Sequence, residues 1–362
     1  MVIDTLCKRR EYSQPVLRFF FPTLLLFLTG AVSSAAPPAP APSPPPRSVV
    51  WCAEDNSAIT NFNANPPVVR RMVDEVVMAT TNTSDVASAW RSLVKPGDRV
   101  GIKISAAGGK YFSTHKSVVE AIVEGLESAG IPRKDVIVWD RTGLEKAGFS
   151  SESDGYQVRS IPPIHGYDPK ALISSDMAGK LIWGDVDFFK HDPNDLLSTF
   201  DADQISPDSH LCKILSHEVT KIINVPVFSS SETAGVAGAL YNVTVPNVDN
   251  WRRYSDNDSF IPDIYSDPRI GAKVVINIMD GLIAQYAGGP DFEPNFSVRR
   301  AAIYASKDPV AMDIVALAQI EHWRTEAKLP RVAPYAAYLM TAASMGIGAA
   351  PAKVELRTLQ PR

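Results

Sequence analysis

The sequence lacks the signatures that would name a reaction. It contains no G-x-S-x-G, no H-E-x-x-H, no loop ending in Gly-Lys-Ser/Thr, no G-x-G-x-x-G and no C-x-x-C, which removes support for common hydrolase, zincin, P-loop and dinucleotide-binding readings. Cysteine is scarce: Cys7, Cys52 and Cys212 are the only three in 362 residues, too few for a disulfide-stapled scaffold. Neither sign of charge is in excess, with 36 Lys+Arg against 40 Asp+Glu and a net charge of -4. That balance offers no electrostatic footprint for a nucleic-acid backbone. No repeat with a period of 20 to 50 residues stands out, which argues against a solenoid or propeller.

What is present first concerns destination. Lys8, Arg9, Arg10 and Arg18 precede an apolar run from Phe19 to Val32, and Ser33, Ser34, Ala35 and Ala36 follow. This is the order of a secretory signal, and cleavage is expected after Ala35. The run has 14 residues, short of the roughly 20 needed to span a bilayer, so no stable membrane anchor is expected after cleavage. The mature protein should be periplasmic or extracellular, with Cys52 and Cys212 either bridged or held as two buried thiols. Seven of the ten residues from Pro37 to Pro46 are proline, which reads as an extended spacer over 36–48.

Beyond the spacer, 45% hydrophobic and 21% charged residues describe an ordinary globular domain. A helical segment over 49–95 is expected to pack on a core domain over 96–362, with apolar spacing from Pro66 to about Val94. Arg99 to Ile104 reads as a strand, Ser113 to Ala129 as a helix with Ser117 and Glu120 as a capping box, and Asp135 to Trp139 as the next strand. Strand, helix and strand make a βαβ unit. Further strands are expected at Leu181–Phe189, Val219–Val227, Ala272–Met279 and Ile303–Ala305, with helices around Ala234–Leu240, Pro309–Ala327 and Pro334–Ser344. The fold class is therefore α/β: a single domain with a mostly parallel sheet flanked by helices in Rossmann-like layers.

Ligands of open α/β sheets sit at the carboxyl ends of the strands, so the polar residues there are the candidates. Lys103 ends one strand, and Thr114 and His115 follow it at a helix N-terminus that favours an anion or is simply a capped turn. Asp140 and Asp280 each precede a glycine-containing turn, as carboxylates for proton transfer or metal binding, or as turn formers. Gly289 permits close backbone approach or satisfies a turn. Asp308, before Pro309, reads as a helix cap, whereas capping of that helix does not explain Asp313. His210, Cys212 and His217 match no established zinc spacing, and Asp201, Asp203 and Asp208 lack the order of a calcium loop. No metal site is assigned.

Read together, PGDRVGIKI, THKSVVEAIVEGLESAG, DVIVWDR, VTKIINVPV, AGVAGALYNVTVPNVDNWRR, INIMDGLIAQYAGGP and ASKDPVAMD, in that order over residues 94–350, resemble the DUF362 family of prokaryotic proteins, some of which carry ferredoxin modules. Many relatives follow the INVPV strand with Lys-x-His and a later Lys-Asn. This chain has Ser229 and Ser231 at the first element and Tyr241 before Asn242 at the second, and it has no cysteine cluster for an iron–sulfur centre. The resemblance implies a site for a small anionic or redox-active ligand, with no cofactor specified. Asp140 and Asp280 are its candidate catalytic groups. Lys103, Thr114, His115, Asn242, Arg252, Arg253, Gly289, Asp308 and Asp313 are the candidate binding residues. The alternative is a non-catalytic ligand-binding module or a partner-binding structural protein.

Overall fold

A computed structural model describes residues 47–163, 165–173, 209–249, 251 and 260–360. The expected strand at Leu181–Phe189, the acidic residues Asp201, Asp203 and Asp208, and Arg252 and Arg253 lie outside the described residues.

The strands are β1 (Ser48–Glu54), β2 (Ile59–Thr60), β3 (Asn63–Ala64), β4 (Val100–Ile104), β5 (Val136–Asp140), β6 (Gln157–Ser160), β7 (Tyr167–Ile173), β8 (Ser209–Cys212), β9 (Lys221–Val225), β10 (Val227–Ser231), β11 (Gly235–Val236), β12 (Val274–Gln285), β13 (Ser297–Ser306) and β14 (Val354–Thr358). One mixed sheet runs β14-β1-β13-β12-β9-β4-β5-β6, and β10 joins it beside β12. Pairing from β12 through β9, β4 and β5 to β6 is parallel, whereas β13 runs antiparallel to both β12 and β1. Strand β1 lies within the segment expected to be helical, beside the helices that the spacing does predict. Strands β12 and β13 also run well beyond their expected spans.

Helices α1 (Pro66–Thr81), α2 (Val86–Arg91) and α3 (Lys116–Ser128) share one core with Val100, Ile102, Val136 and Val138. Helix α1 starts on two prolines, whose fixed φ and missing N–H suit a first turn, and stops at Asn82 in the left-handed conformation. After the short α4 (Ser151–Asp154), helices α5 (Ala239–Thr244), α6 (Ile261–Ser266), α7 (Pro309–Glu326) and α8 (Tyr338–Ser344) pack with Cys52, Trp139, Met279 and Tyr304 in the second core. Alternation along the strands thus sends successive side chains to two cores, one on each face of the sheet.

One expectation for α3 is not met, and the cysteines take one of their two expected states. The capping box on α3 does not form: His115 is the cap residue, the Ser117 hydroxyl has no partner and Glu120 pairs with Arg133. The His115 N–H is instead taken by the Asp280 carboxylate from β12. Cys52 and Cys212 are separate buried thiols, each pushed up to about 12 by burial above all.

Candidate functional site

A row of polar side chains crosses the face of the sheet that carries α5. Lys103 is level with Asn224, Asn224 with Asn277, and Asn277 with Ser306, on β4, β9, β12 and β13 in turn. The four are fully or almost fully buried, so each polar atom needs a partner. Asn242 on α5 accepts from Lys103 Nζ at 3.1 Å and donates to Asn224 Oδ1 at 2.8 Å. Asn224 donates to Asn277 Oδ1 at 2.9 Å and to the Ala239 carbonyl at 2.7 Å. Asn277 donates to the Ser306 carbonyl, and the Ser306 hydroxyl to the Val49 carbonyl.

Lys103 anchors the row. Its ammonium donates to the Ile104 carbonyl at 2.7 Å, Asp140 Oδ1 at 2.8 Å and Asn242 Oδ1. Three donors thus meet three acceptors. Burial lowers Lys103 below the ordinary lysine range, against the opposing pull of Asp140. Asp140 also accepts the backbone N–H groups of Arg141 and Ala106, both at 2.7 Å. The carboxylate therefore clamps the loop after β4 and neutralises a buried ammonium.

Above this floor lies a cavity of about 320 Å³. Ser105, Asp140, Arg141, Ser229, Asn242 and Asp291 are among its polar lining, with Val227, Ala237, Val245 and Pro246 among its apolar walls. It sits at the carboxyl ends of β4 and β5 and beside β10, where an open α/β sheet places ligands. A larger cavity of about 840 Å³ is lined mainly by the chain from Arg141 to Pro163, with Tyr167, Asp249 and Trp251. Arg141, Thr142 and Trp251 line both. The Arg141 guanidinium lies 3.8 Å from the centre of the Trp251 ring and makes no hydrogen bond or ion pair with another described residue.

The expected site residues fall into separate groups. Asp140 and Asn242 form the cavity floor, with Lys103 buried beneath them and bonded to both. Gly289 lies against its β10 wall: a Cβ there would stand 2.1 Å from the Ser230 carbonyl oxygen, so the bare backbone lets the Pro290–Asp291 turn close on the cavity. Thr114 joins strand ends, accepting from Ser105 N–H and donating to the Val225 carbonyl at 2.8 Å. Asp280 and His115 form a pair of their own, with Asp280 Oδ2 2.7 Å from the His115 backbone N and 2.8 Å from its Nδ1. The anion at the α3 N-terminus is therefore the protein's own carboxylate. Burial works to lower His115, but Asp280 outweighs it and leaves the imidazole raised.

The remaining two carboxylates cap helices. Asp308 accepts from Ala311 N–H at the start of α7 and from Ala349 N–H. Asp313 accepts from the Ala239 and Leu240 N–H groups, which begin α5. Burial lifts Asp313 to about 7, although both N–H bonds favour its charged form. His210 and His217 pair with Asp249 and Asp168, respectively. Among the described residues, no cluster of three His, Cys, Asp or Glu is placed to hold a metal ion.

A domain of unknown function, DUF362, matches residues 100–318. The chain belongs to the DUF362 family. The matched span of this DUF362 protein contains the whole amide row except Val49, both cavities and the Asp280–His115 pair. No curated protein matches the chain. It is similar to a Thermotoga maritima protein whose crystal structure came from a structural genomics programme, at 12% identity and a TM-score of 0.38, over 75% of this chain and 61% of that one.

Sequence reasoning missed Asn224 and Asn277 as a pair, and did not commit to Arg141 or Asp291. Two signals were there to be read. KIINV and VVINIM each place an asparagine in the middle of a buried strand, where an amide must find a partner. Arg141 follows a strand-ending aspartate directly.

Proposed function

We propose that this protein is an exported binding protein for a small ligand carrying an anionic group, held in the cavity over Lys103, Asp140 and Asn242. The observation that carries the reading is Arg141, a guanidinium that lines both cavities, lies over an indole and has no carboxylate partner among the described residues. Such a planar fork is suited to carboxylate or phosphate. Asp140 and Asp280 are engaged in holding backbone N–H groups, Lys103 and His115. Those contacts favour positioning over proton transfer and support binding as the role of the site. Partners of other classes are not needed by this reading, and the mild negative charge disfavours nucleic acid.

Export rests on the basic, apolar and small-residue order of the first 36 residues. No described helix is long and apolar enough to cross a membrane. Determining the N-terminal residue of the mature protein checks the proposed cleavage after Ala35, and an N-terminus within the first 30 residues would refute it.

The binding reading is tested by calorimetric titration of the full chain with inorganic phosphate, short carboxylates and free amino acids. Saturable binding of at least one, lost in Arg141→Ala, is expected. The reading fails if none binds, or if Arg141→Ala binds equally well.

A further inference from the structure

Among the described residues, Arg141 is one of two charged side chains lining the smaller cavity that have no ionic partner. Asp291 also lines it, and its carboxylate makes no hydrogen bond or ion pair with another described residue. The third charged lining residue, Asp140, is neutralised by Lys103 beneath. The cavity therefore offers one open cation and one open anion, which do not neutralise each other. Val227, Ala237, Val245 and Pro246 supply apolar walls, and the exposed Pro290 and Asp291 lie at the cavity's open side.

We infer that the ligand is a zwitterion: a free α-amino acid with an apolar side chain. This deepens the anion-binding reading of the same cavity and rests on it. The ligand carboxylate takes the Arg141 fork, as planar bidentate geometry favours. Its ammonium donates to Asp291, and its side chain meets the apolar walls. A plain carboxylate would satisfy Arg141 but would bring a second negative charge toward the exposed Asp291 without a donor for it, so the cavity favours the zwitterion. The corresponding amine without a carboxylate meets the same obstacle at Arg141. A volume of about 320 Å³ accommodates a molecule of this size.

The turn that delivers Asp291 is built for the purpose of closing on β10. Gly289 approaches the Ser229 hydroxyl and the Ser230 carbonyl more closely than any side-chain-bearing residue allows. Gln285 then fixes the turn, donating to the Asp291 carbonyl at 2.6 Å and accepting from Glu293 N–H at 2.8 Å. The Asp291 carboxylate is thus held by its backbone, with its oxygens left open.

Ligands matched in their side chain separate this inference from the reading beneath it. Calorimetry on the full chain compares leucine with 4-methylpentanoate and isoamylamine, and phenylalanine with 3-phenylpropionate and phenethylamine. Binding of at least one amino acid is expected, about tenfold or more tighter than either of its analogues. Asp291→Asn should bring the amino acid down to the level of its deaminated acid, and Arg141→Ala should weaken both. If the deaminated acids bind wild type as tightly as the amino acids, and Arg141→Ala still abolishes them, the zwitterion inference is overturned while the anion reading stands. If no ligand of either series binds, the zwitterion inference falls; if inorganic phosphate and short carboxylates also fail to bind, or Arg141→Ala changes nothing, both fall.

Discussion

Lys103 shows why a charged side chain in a core is costly to disturb. Its ammonium is enclosed, yet every one of its protons has an acceptor. Replacing it with methionine keeps the length and removes the charge, which strands Asp140 as a buried carboxylate. Lys103→Met is expected to lose about 3–5 kcal/mol of unfolding free energy, and Lys103→Met/Asp140→Asn to recover part of it, both read from urea denaturation. Equal losses in single and double variants would refute the pairing. His115 gives a second residue-scale test with a definite sign. Its pKa is raised in the folded protein by Asp280, so the folded state holds the proton more firmly than the unfolded chain. The stabilisation is complete below the unfolded value of about 6.5 and disappears as pH rises through the folded value. NMR titration of the imidazole should place its midpoint above about 6.5, and Asp280→Asn should lower it. A midpoint unchanged by that substitution would show that Asp280 does not set it.

At the scale of elements, the short helix α5 is held from outside itself. Asp313, one turn into α7, takes the two N–H groups at its start, and Gly238 keeps the space open, since a Cβ there would stand 2.1 Å from Asp313 Oδ1. Asp313→Ala should therefore cost about 2–4 kcal/mol by leaving buried donors unpaired, measured as the loss in urea midpoint at constant slope. A cost below about 0.5 kcal/mol, the range of an ordinary surface substitution, would contradict the cap. This contact also marks where sequence reading stops. The α7 cap was legible, because Asp308 and Pro309 adjoin the helix they start. Asp313 was noticed as unexplained, but its partners lie more than 70 positions away. The same division holds elsewhere. Strands β4 and β5 and helices α1, α3 and α7 follow from periodicity and punctuation. The pairing of Asp140 with Lys103, and of Asp280 with His115, required strand order that no local pattern encodes.

For the whole molecule, the sheet divides the interior into two cores of different character. The α1–α3 side is lined by aliphatic and aromatic side chains, Trp90 and Phe112 among them, whereas the α5–α8 side also contains the amide row, Lys103 and Cys212. Cys52 and Cys212 both lie in that second core. Their raised thiols should be inert toward a disulfide reagent in the native protein and react together only on global unfolding, which peptide mapping after timed labelling would show. Labelling of one well before the other would mean that the second core opens in parts. The amide row bears on how this fold is reached. Strand pairing by apolar contact alone tolerates slippage, because one valine substitutes for another at small cost. Here a shift of β4, β9 or β12 by a single residue would turn Lys103, Asn224 or Asn277 into the aliphatic core and strip it of every partner. The row therefore acts as an editor during assembly: mispaired sheets are too unstable to persist, and only the alignment that also builds the floor of the cavity survives.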